Sequence, residues 1–356
     1  MIAGTNSGCG KTTVTCAVLQ ALVNRKINVS SFKCGPDYID PMFHKTVIGT
    51  AAYNLDTYLM SNDAVNYLLN KNSGDIAVVE GVMGFYDGFS FTEKGSTHEL
   101  SEITDTDVIL VVNCRGMSLS AMALVKGFKE FRKSNINGVI FNNLSEKLYG
   151  HLSEECRKIG LVPLGFLPNI KDVQISSRHL GLVTAGEIDG IKDKMNLLAD
   201  YAEKYIDIDK ILEISENDRD TKFTSLEITK KYNVKNAVAY DRAFCFYYED
   251  NFRFLRELGC ELIPFSLLAD DRLPEQIDGL LLGGGYPELY AETLSENERM
   301  RRSVREAIQN GLPCIAECGG FLYLHDSLEG KDQKQYEMAG VIQENGFAAG
   351  RLKRFG

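Results

Sequence analysis

A lysine inside a glycine-rich run is the first sign of chemistry in this chain. The run Gly4-Thr5-Asn6-Ser7-Gly8-Cys9-Gly10-Lys11-Thr12-Thr13 follows a short apolar segment and precedes a helix-like stretch over 14–24. That strand, loop and helix order is what a phosphate-binding loop requires, because its backbone NH groups cradle phosphate oxygens. Gly8, Gly10, Lys11, Thr12 and Thr13 are the candidate ATP-binding residues. Lys11 would neutralise the β and γ phosphates, and the Thr12 hydroxyl would coordinate Mg2+. Gly4 and Gly10 enclose one residue more than the ordinary motif does, with Thr5 at the expected glycine position.

A phosphoryl-transfer site also needs acids for its metal. Glu80, which ends the apolar run Ile76-Ala77-Val78-Val79, stands where such an acid is expected, and Asp56 in Asn54-Leu55-Asp56 is a second candidate. Taken alone, such a carboxylate is more often a surface or capping group than a metal ligand, and its neighbourhood raises its standing here. The loop Lys33-Cys34-Gly35-Pro36-Asp37-Tyr38-Ile39-Asp40-Pro41 packs a cation, two carboxylates, a glycine and two prolines into a short stiff turn. Lys33 there could reach a γ phosphate or a developing acyl phosphate, where a positive charge stabilises transition-state oxygens.

Near the other end, Pro313-Cys314-Ile315-Ala316-Glu317-Cys318-Gly319-Gly320-Phe321 reads as a buried strand turning sharply through a cysteine into a helix. That turn exposes a nucleophile, and Cys318 is the candidate. Cys314, inside the strand, reads as a core residue. Upstream, Leu282-Gly283-Gly284-Gly285-Tyr286 follows another strand-like run, and the NH groups of Gly284 and Gly285 are candidates for an oxyanion hole. A thiolate needs a base, yet none of His44, His98, His151, His179 and His325 is placed convincingly; His325, read as two turns along the same helix, is too far. The base is expected beyond Gly356.

The elements that must hold these residues are α/β in pattern. Strand-like runs at 1–3, 28–33, 76–80, 108–113, 138–142 and 163–167 alternate with helix-like stretches, which predicts a parallel sheet covered on both faces. A charged stretch over 191–234 reads as a helix and then a linker. Strand-like runs resume at 236–240, 261–264, 279–282 and 313–316, with a helix over 296–310, giving a second α/β domain that looks cut short at its end.

Composition narrows the partners. With 356 residues and 44% hydrophobic content the chain can bury large cores, and two domains are the default. A net charge of −10 argues against nucleic acid or an anionic membrane surface as main partner. No apolar run approaches membrane-spanning length. Nine scattered cysteines without a Cys-x-x-Cys pair fit reduced thiols in a cytoplasmic protein.

Taken together, several runs resemble the cobyrinic acid a,c-diamide synthase family, glutamine-dependent enzymes of corrinoid and cobalamin biosynthesis that also include nickel sirohydrochlorin a,c-diamide synthase. They are the 33–44 loop, ending Pro41-Met42-Phe43-His44, then Asn54-Leu55-Asp56, Val79-Glu80-Gly81-Val82-Met83-Gly84-Phe85-Tyr86-Asp87-Gly88, Ser177-Arg178-His179-Leu180-Gly181-Leu182 and the 316–320 elbow. The first half is also similar to dethiobiotin synthetase, whose phosphate loop has the same long glycine spacing. The resemblance implies a P-loop doubly wound sheet as an ATP-dependent synthetase domain over 1–190. A helix and linker would follow over 191–234, and a class I glutamine-amidotransferase-like α/β domain, incomplete, over 235–356.

By the same resemblance Thr12, Asp56 and Glu80 bind Mg2+, Lys11 and Lys33 hold the γ phosphate, and Asn142 or Asn143 faces adenine. Asp37, Tyr38 and Asp40, with Tyr86 and Asp87, would face the tetrapyrrole. The implied reaction is ATP-dependent carbon–nitrogen ligation: the c and a acetates of cobyrinic acid become acyl phosphates, which ammonia from glutamine at Cys318 then attacks. Without a partner base for Cys318, glutamine hydrolysis by the chain is expected to be impaired, with free ammonia used instead. Nickel sirohydrochlorin is the alternative macrocycle, a dethiobiotin-synthetase-like ligase the alternative enzyme, and a P-loop partitioning or metallochaperone-type regulator the alternative outside catalysis. The sequence leaves oligomeric state open, with a homodimer one option.

Overall fold

The computed structural model describes residues 1–170, 185–216, 223–224 and 228–348. The run Ser177–Leu182 lies outside these residues. The chain divides into two units, Met1–Leu226 and Glu227–Gly356.

The first unit is a seven-stranded sheet in the order β3-β2-β4-β1-β5-β6-β7, and every pairing is parallel. The strands are β1 (Ile2–Gly4), β2 (Val29–Cys34), β3 (Ala51–Leu55), β4 (Ile76–Glu80), β5 (Val108–Asn113), β6 (Ile136–Asn142) and β7 (Val162–Leu167). Helices α1 (Lys11–Asn24), α2 (Ile39–Phe43), α3 (Asn62–Asn72), α4 (Thr97–Ile103), α5 (Ser120–Phe131) and α6 (Glu146–Lys158) connect them, and α7 (Ala185–Tyr205) and α8 (Ile208–Ser215) follow.

Strand β5 shows why the sheet is covered on both faces. Its residues Val108, Leu110 and Val112 enter one core with Val65 of α3, Leu100 of α4, Val125 of α5 and Leu152 of α6. Ile109 and Val111 enter the other core with Leu19 of α1, Leu198 of α7 and Ile211 of α8. A period-2 strand that is apolar at every position must bury both faces, which is the rule for parallel sheets. Because β1 lies between β4 and β5 while the chain leaves it first toward β2, the sheet has a switch point at the carboxyl end of β1, where such folds bind ligands.

Two expectations change in this unit. The edge strand β3 did not stand out, since Ala51-Ala52-Tyr53-Asn54-Leu55 has no sustained alternation; its pairing with β2, from Ser30↔Ala51 to Cys34↔Leu55, defines it. That pairing puts Asp56 at a strand's carboxyl end. The charged stretch after 191 also holds a second helix, α8, capped by Asp207, whose side chain accepts from the Lys210 NH.

The second unit has a parallel sheet β10-β8-β11-β13 built from β8 (Val234–Ala239), β10 (Cys260–Phe265), β11 (Gly279–Leu282) and β13 (Cys314–Ala316). Strands β9 (Phe244–Phe246) and β12 (Gly284–Gly285) form an antiparallel pair, and β14 (His325–Glu329), β15 (Gln335–Glu337) and β16 (Ile342–Gly346) a small mixed sheet. Helix α9 (Glu249–Glu257) precedes β10, and α12 (Gly319–Tyr323) follows β13. The helix expected over 296–310 is two, α10 (Ala291–Glu296) and α11 (Glu298–Gln309). Asn297 breaks it with ψ 62° and turns its side chain onto the Met300 NH. No described helix is long and apolar enough to cross a membrane.

Candidate active site

The switch point gathers the phosphate loop and its acids. Strand β1 leads into the loop and α1 begins at Lys11, with Gly10 at the N-cap in the left-handed region, φ 101°. A Cβ there would collide with the Asn142 amide, so close packing and backbone conformation both demand glycine. Lys11 Nζ lies back over the loop, donating to the carbonyl oxygens of Asn6 (3.2 Å) and Met83. Thr12 Oγ1 donates to Glu80 Oε1 at 2.7 Å. Thr13 follows in the first turn of α1, and Gly8 is exposed on the loop.

Register brings the second lysine to the same place, since Lys33 of β2 pairs directly with Glu80 of β4. Lys33 Nζ sits 2.5 Å from Asp40 Oδ2, 3.0 Å from Glu80 Oε1 and 3.9 Å from Asp37 Oδ2. Burial alone would push the Lys33 ammonium down, but the fields of Glu80, Asp40 and Asp37 overcome it and hold the group well above the usual lysine value. Burial pushes the Glu80 carboxyl up, with Lys33 opposing, and pushes Asp37 up as well. Asp37 also caps α2, its Oδ1 accepting from the NH groups of Ile39 and Asp40. Tyr38 is half-buried just before that helix.

Two placements differ from expectation. Asp40, expected to face a macrocycle, is buried against Lys33, because an ammonium this deep needs a carboxylate in contact. Tyr86 is packed among Phe85, His98, Phe128 and Phe131 and donates its hydroxyl to the Phe128 carbonyl at 2.6 Å; its apolar ring is better covered than exposed. The same turn keeps Asp87 exposed, with Oδ2 accepting from the Gly84 NH. Of the two asparagines left open, Asn142 donates to the Cys9 carbonyl and accepts from the Asn143 NH, so it braces the phosphate loop. Asn143 has φ 59° and donates to Asn113 Oδ1.

The donor set suits a hard cation. Asp56 is buried; its Oδ1 accepts from the NH groups of Tyr58 and Leu59, while Oδ2 has no hydrogen-bond partner. Glu80 Oε2 is equally unsatisfied. Unpaired buried carboxylate oxygens are costly, and a bound Mg2+ would satisfy them. Among the described residues no group of three His, Cys, Asp or Glu side chains is arranged to hold a metal ion by itself, as fits a metal held by one or two carboxylates, a hydroxyl and phosphate oxygens. Sequence reasoning gave His44 no role. It is buried, both ring nitrogens lack hydrogen bonds, Nε2 lies 3.5 Å from Glu80 Oε2, and burial lowers its pKa to about 4. The only sequence signal was its place in the 33–44 run.

The elbow in the second unit is built differently. Cys318, exposed, holds φ 48° and ψ −111° between β13 and α12, a strained conformation for a residue with a side chain. A Cβ on Gly320 would strike the Leu282 carbonyl, so that glycine lets α12 close onto β11. The Gly320 NH donates to the Gly283 carbonyl, and the Gly283 NH to the Tyr247 hydroxyl, which itself donates to Ala239 O. Tyr247 is therefore a strut that no motif revealed. Gly284 lies against Cys318: a Cβ there would stand 3.4 Å from the Cys318 Cβ. His325 is not on a helix with Cys318, as α12 ends at Tyr323 and His325 opens β14 with its Nδ1 2.9 Å from the Phe321 carbonyl.

A P-loop doubly wound sheet joined to a unit bearing a strained cysteine elbow defines a nucleotide-binding protein with an amidotransferase-type second domain. Residues 1–183 match the CobQ/CobB/MinD/ParA nucleotide binding domain and residues 235–350 the CobB/CobQ-like glutamine amidotransferase domain. Over 358 residues the chain is 42% identical to a cobyrinate a,c-diamide synthase of Thermoplasma volcanium, covering 99% of this chain and 78% of that protein. It is 39% identical to the synthase of the same name from Caldanaerobacter subterraneus, covering 100% and 80%. The chain belongs to the cobyrinate a,c-diamide synthase family.

Proposed function

We propose that this protein amidates the a and c acetates of cobyrinate at the expense of ATP, through an acyl phosphate, in the cytoplasm. The observation that carries the reading is the charged Lys33, buried among Asp40, Glu80 and Asp37 beside the phosphate loop. A substrate carboxylate oxygen attacks the γ phosphorus, the bond to the bridging oxygen breaks and ADP leaves. Lys11 and Lys33 hold the γ phosphoryl oxygens as charge shifts across them, and Lys11 exchanges its carbonyl partners for phosphate. Thr12, Asp56 and Glu80 would hold Mg2+, which when bound neutralises phosphate charge. Ammonia then attacks the acyl carbon and forms the C–N bond; the acyl C–O bond breaks, and inorganic phosphate leaves with that oxygen and the proton nitrogen sheds.

Glutamine would supply that ammonia at Cys318, with the NH groups of Gly284 and Gly285 facing the oxyanion. Because His325 is turned onto Phe321, the chain is expected to run faster with free ammonia than with glutamine. Asn143 is the remaining candidate to face adenine, and Asp37, Tyr38 and Asp87 to face the macrocycle. The test is incubation with ATP, Mg2+ and ammonium or glutamine, with cobyrinate and nickel sirohydrochlorin in parallel. Mass spectrometry should show two successive replacements of OH by NH2 on cobyrinate. ADP formation without amide on either ring would sink the reading.

A further inference from the structure

Four large apolar side chains stand in solvent next to the buried cluster: Tyr58, Leu59, Phe89 and Phe91, the last fully exposed. Soluble proteins rarely leave such a group uncovered without a use for it. The four are carried on two loops pinned to one another and to the site. The NH groups of Tyr58 and Leu59 donate to Asp56 Oδ1. Thr57 Oγ1 and the Gly95 NH both donate to Glu99 Oε2, at 2.7 and 2.6 Å, and the Phe89 NH donates to the Lys94 carbonyl. The rings of Tyr58 and Phe89 meet at 5.3 Å between centroids, and Lys94 Nζ lies 5.2 Å from the centre of the Tyr58 ring. The result is an apolar shelf centred on Tyr58 and Phe89 with a cation on it, and Leu59 and Phe91 stand exposed on the same two loops.

We propose that this shelf receives the face of the macrocycle, placing a ring-edge acetate over the Lys33 cluster. The inference rests on the proposed function. A macrocycle edged with carboxylates has an apolar face to cover and anionic groups to pair, and the shelf offers both, with Lys94 supplying the charge. Position argues the same way. The shelf begins two residues past Asp56, which accepts from its Tyr58 and Leu59 NH groups, so a ligand seated on it lies beside a carboxylate proposed for the phosphate site. Because the loops are already pinned, binding orders little, and the affinity is not spent on immobilising them.

The test is a titration of the full chain with cobyrinate, followed by visible absorbance in the presence of Mg2+ and a non-hydrolysable ATP analogue. Leu59→Ser with Phe89→Ser should raise the cobyrinate Kd by at least about tenfold. Affinity for the ATP analogue and the melting temperature should stay unchanged, since the exchanged side chains are exposed. Tyr58→Phe, which keeps the ring, should bind as wild type does, and Tyr58→Ala should not. Equal cobyrinate affinity in wild type and the double variant overturns the shelf while leaving the proposed function standing. So does unchanged affinity accompanied by loss of a dimer in sedimentation, which would assign the shelf to a second copy. Wild type that binds the ATP analogue but no cobyrinate overturns the proposed function itself.

Discussion

The two reactive regions of this chain solve opposite problems. In the first unit a buried lysine lies within 3.9 Å of three carboxylates that together hold it charged, and the chemistry proposed for it rests on fixed charge. In the second a cysteine is exposed on a strained backbone, and the nucleophilic role proposed for it rests on where the turn aims it. Charge in a low-dielectric site is held by side chains that depend on one another, so removing one disturbs all. An elbow is held by backbone and glycines, so its nucleophile can be removed with little structural cost.

That contrast can be broken most forcefully at Lys33. Lys33→Met should lower amidation with either nitrogen source by at least about a thousandfold, and destabilise the first unit by about 3–5 kcal/mol, because Asp40 and Glu80 lose their cation. Denaturant titration and product analysis read both effects; a stable, active variant would show that the cluster is not held by charge. Cys318→Ala should remove about a thousandfold of glutamine-dependent amidation and leave the ammonia-dependent rate and the melting temperature as they were. Equal loss with ammonia would mean that the two regions are not separable.

Gly320→Ala comes next. Its Cβ meets the Leu282 carbonyl, and a cost of about 2–4 kcal/mol confined to the second unit is expected, seen by hydrogen exchange, with ATP affinity untouched. The smallest effect belongs to Tyr86→Phe, which removes one hydrogen bond to Phe128 and should cost about 1 kcal/mol without changing the KM for cobyrinate. A raised KM would return Tyr86 to the substrate.

Much of the first unit could be read from residue order. Strands β4 and β5, like β11 of the second unit, are apolar runs bounded by polar or glycine residues, and the phosphate loop carries its own punctuation. Strand β3 escaped because its stability lies in its partner β2 and not in its own pattern. Asp40 and Tyr86 lie deeper than their sequence context implies for a related reason: a charged residue and a tyrosine in loops look exposed until the fold places a lysine or an aromatic cluster beside them.

The sequence by itself therefore determined the classes of chemistry, because a P-loop, a Cys elbow and alternating strands are local patterns whose physics operates over a few residues. The partners of each group came only from tertiary structure. Pairing across β2 and β4 set Lys33 against Glu80, the turn into α2 delivered Asp40, and the packing of α12 on β11 aimed Cys318 past Gly284. Those contacts join residues far apart in the chain, and no local pattern encodes a distance between strands.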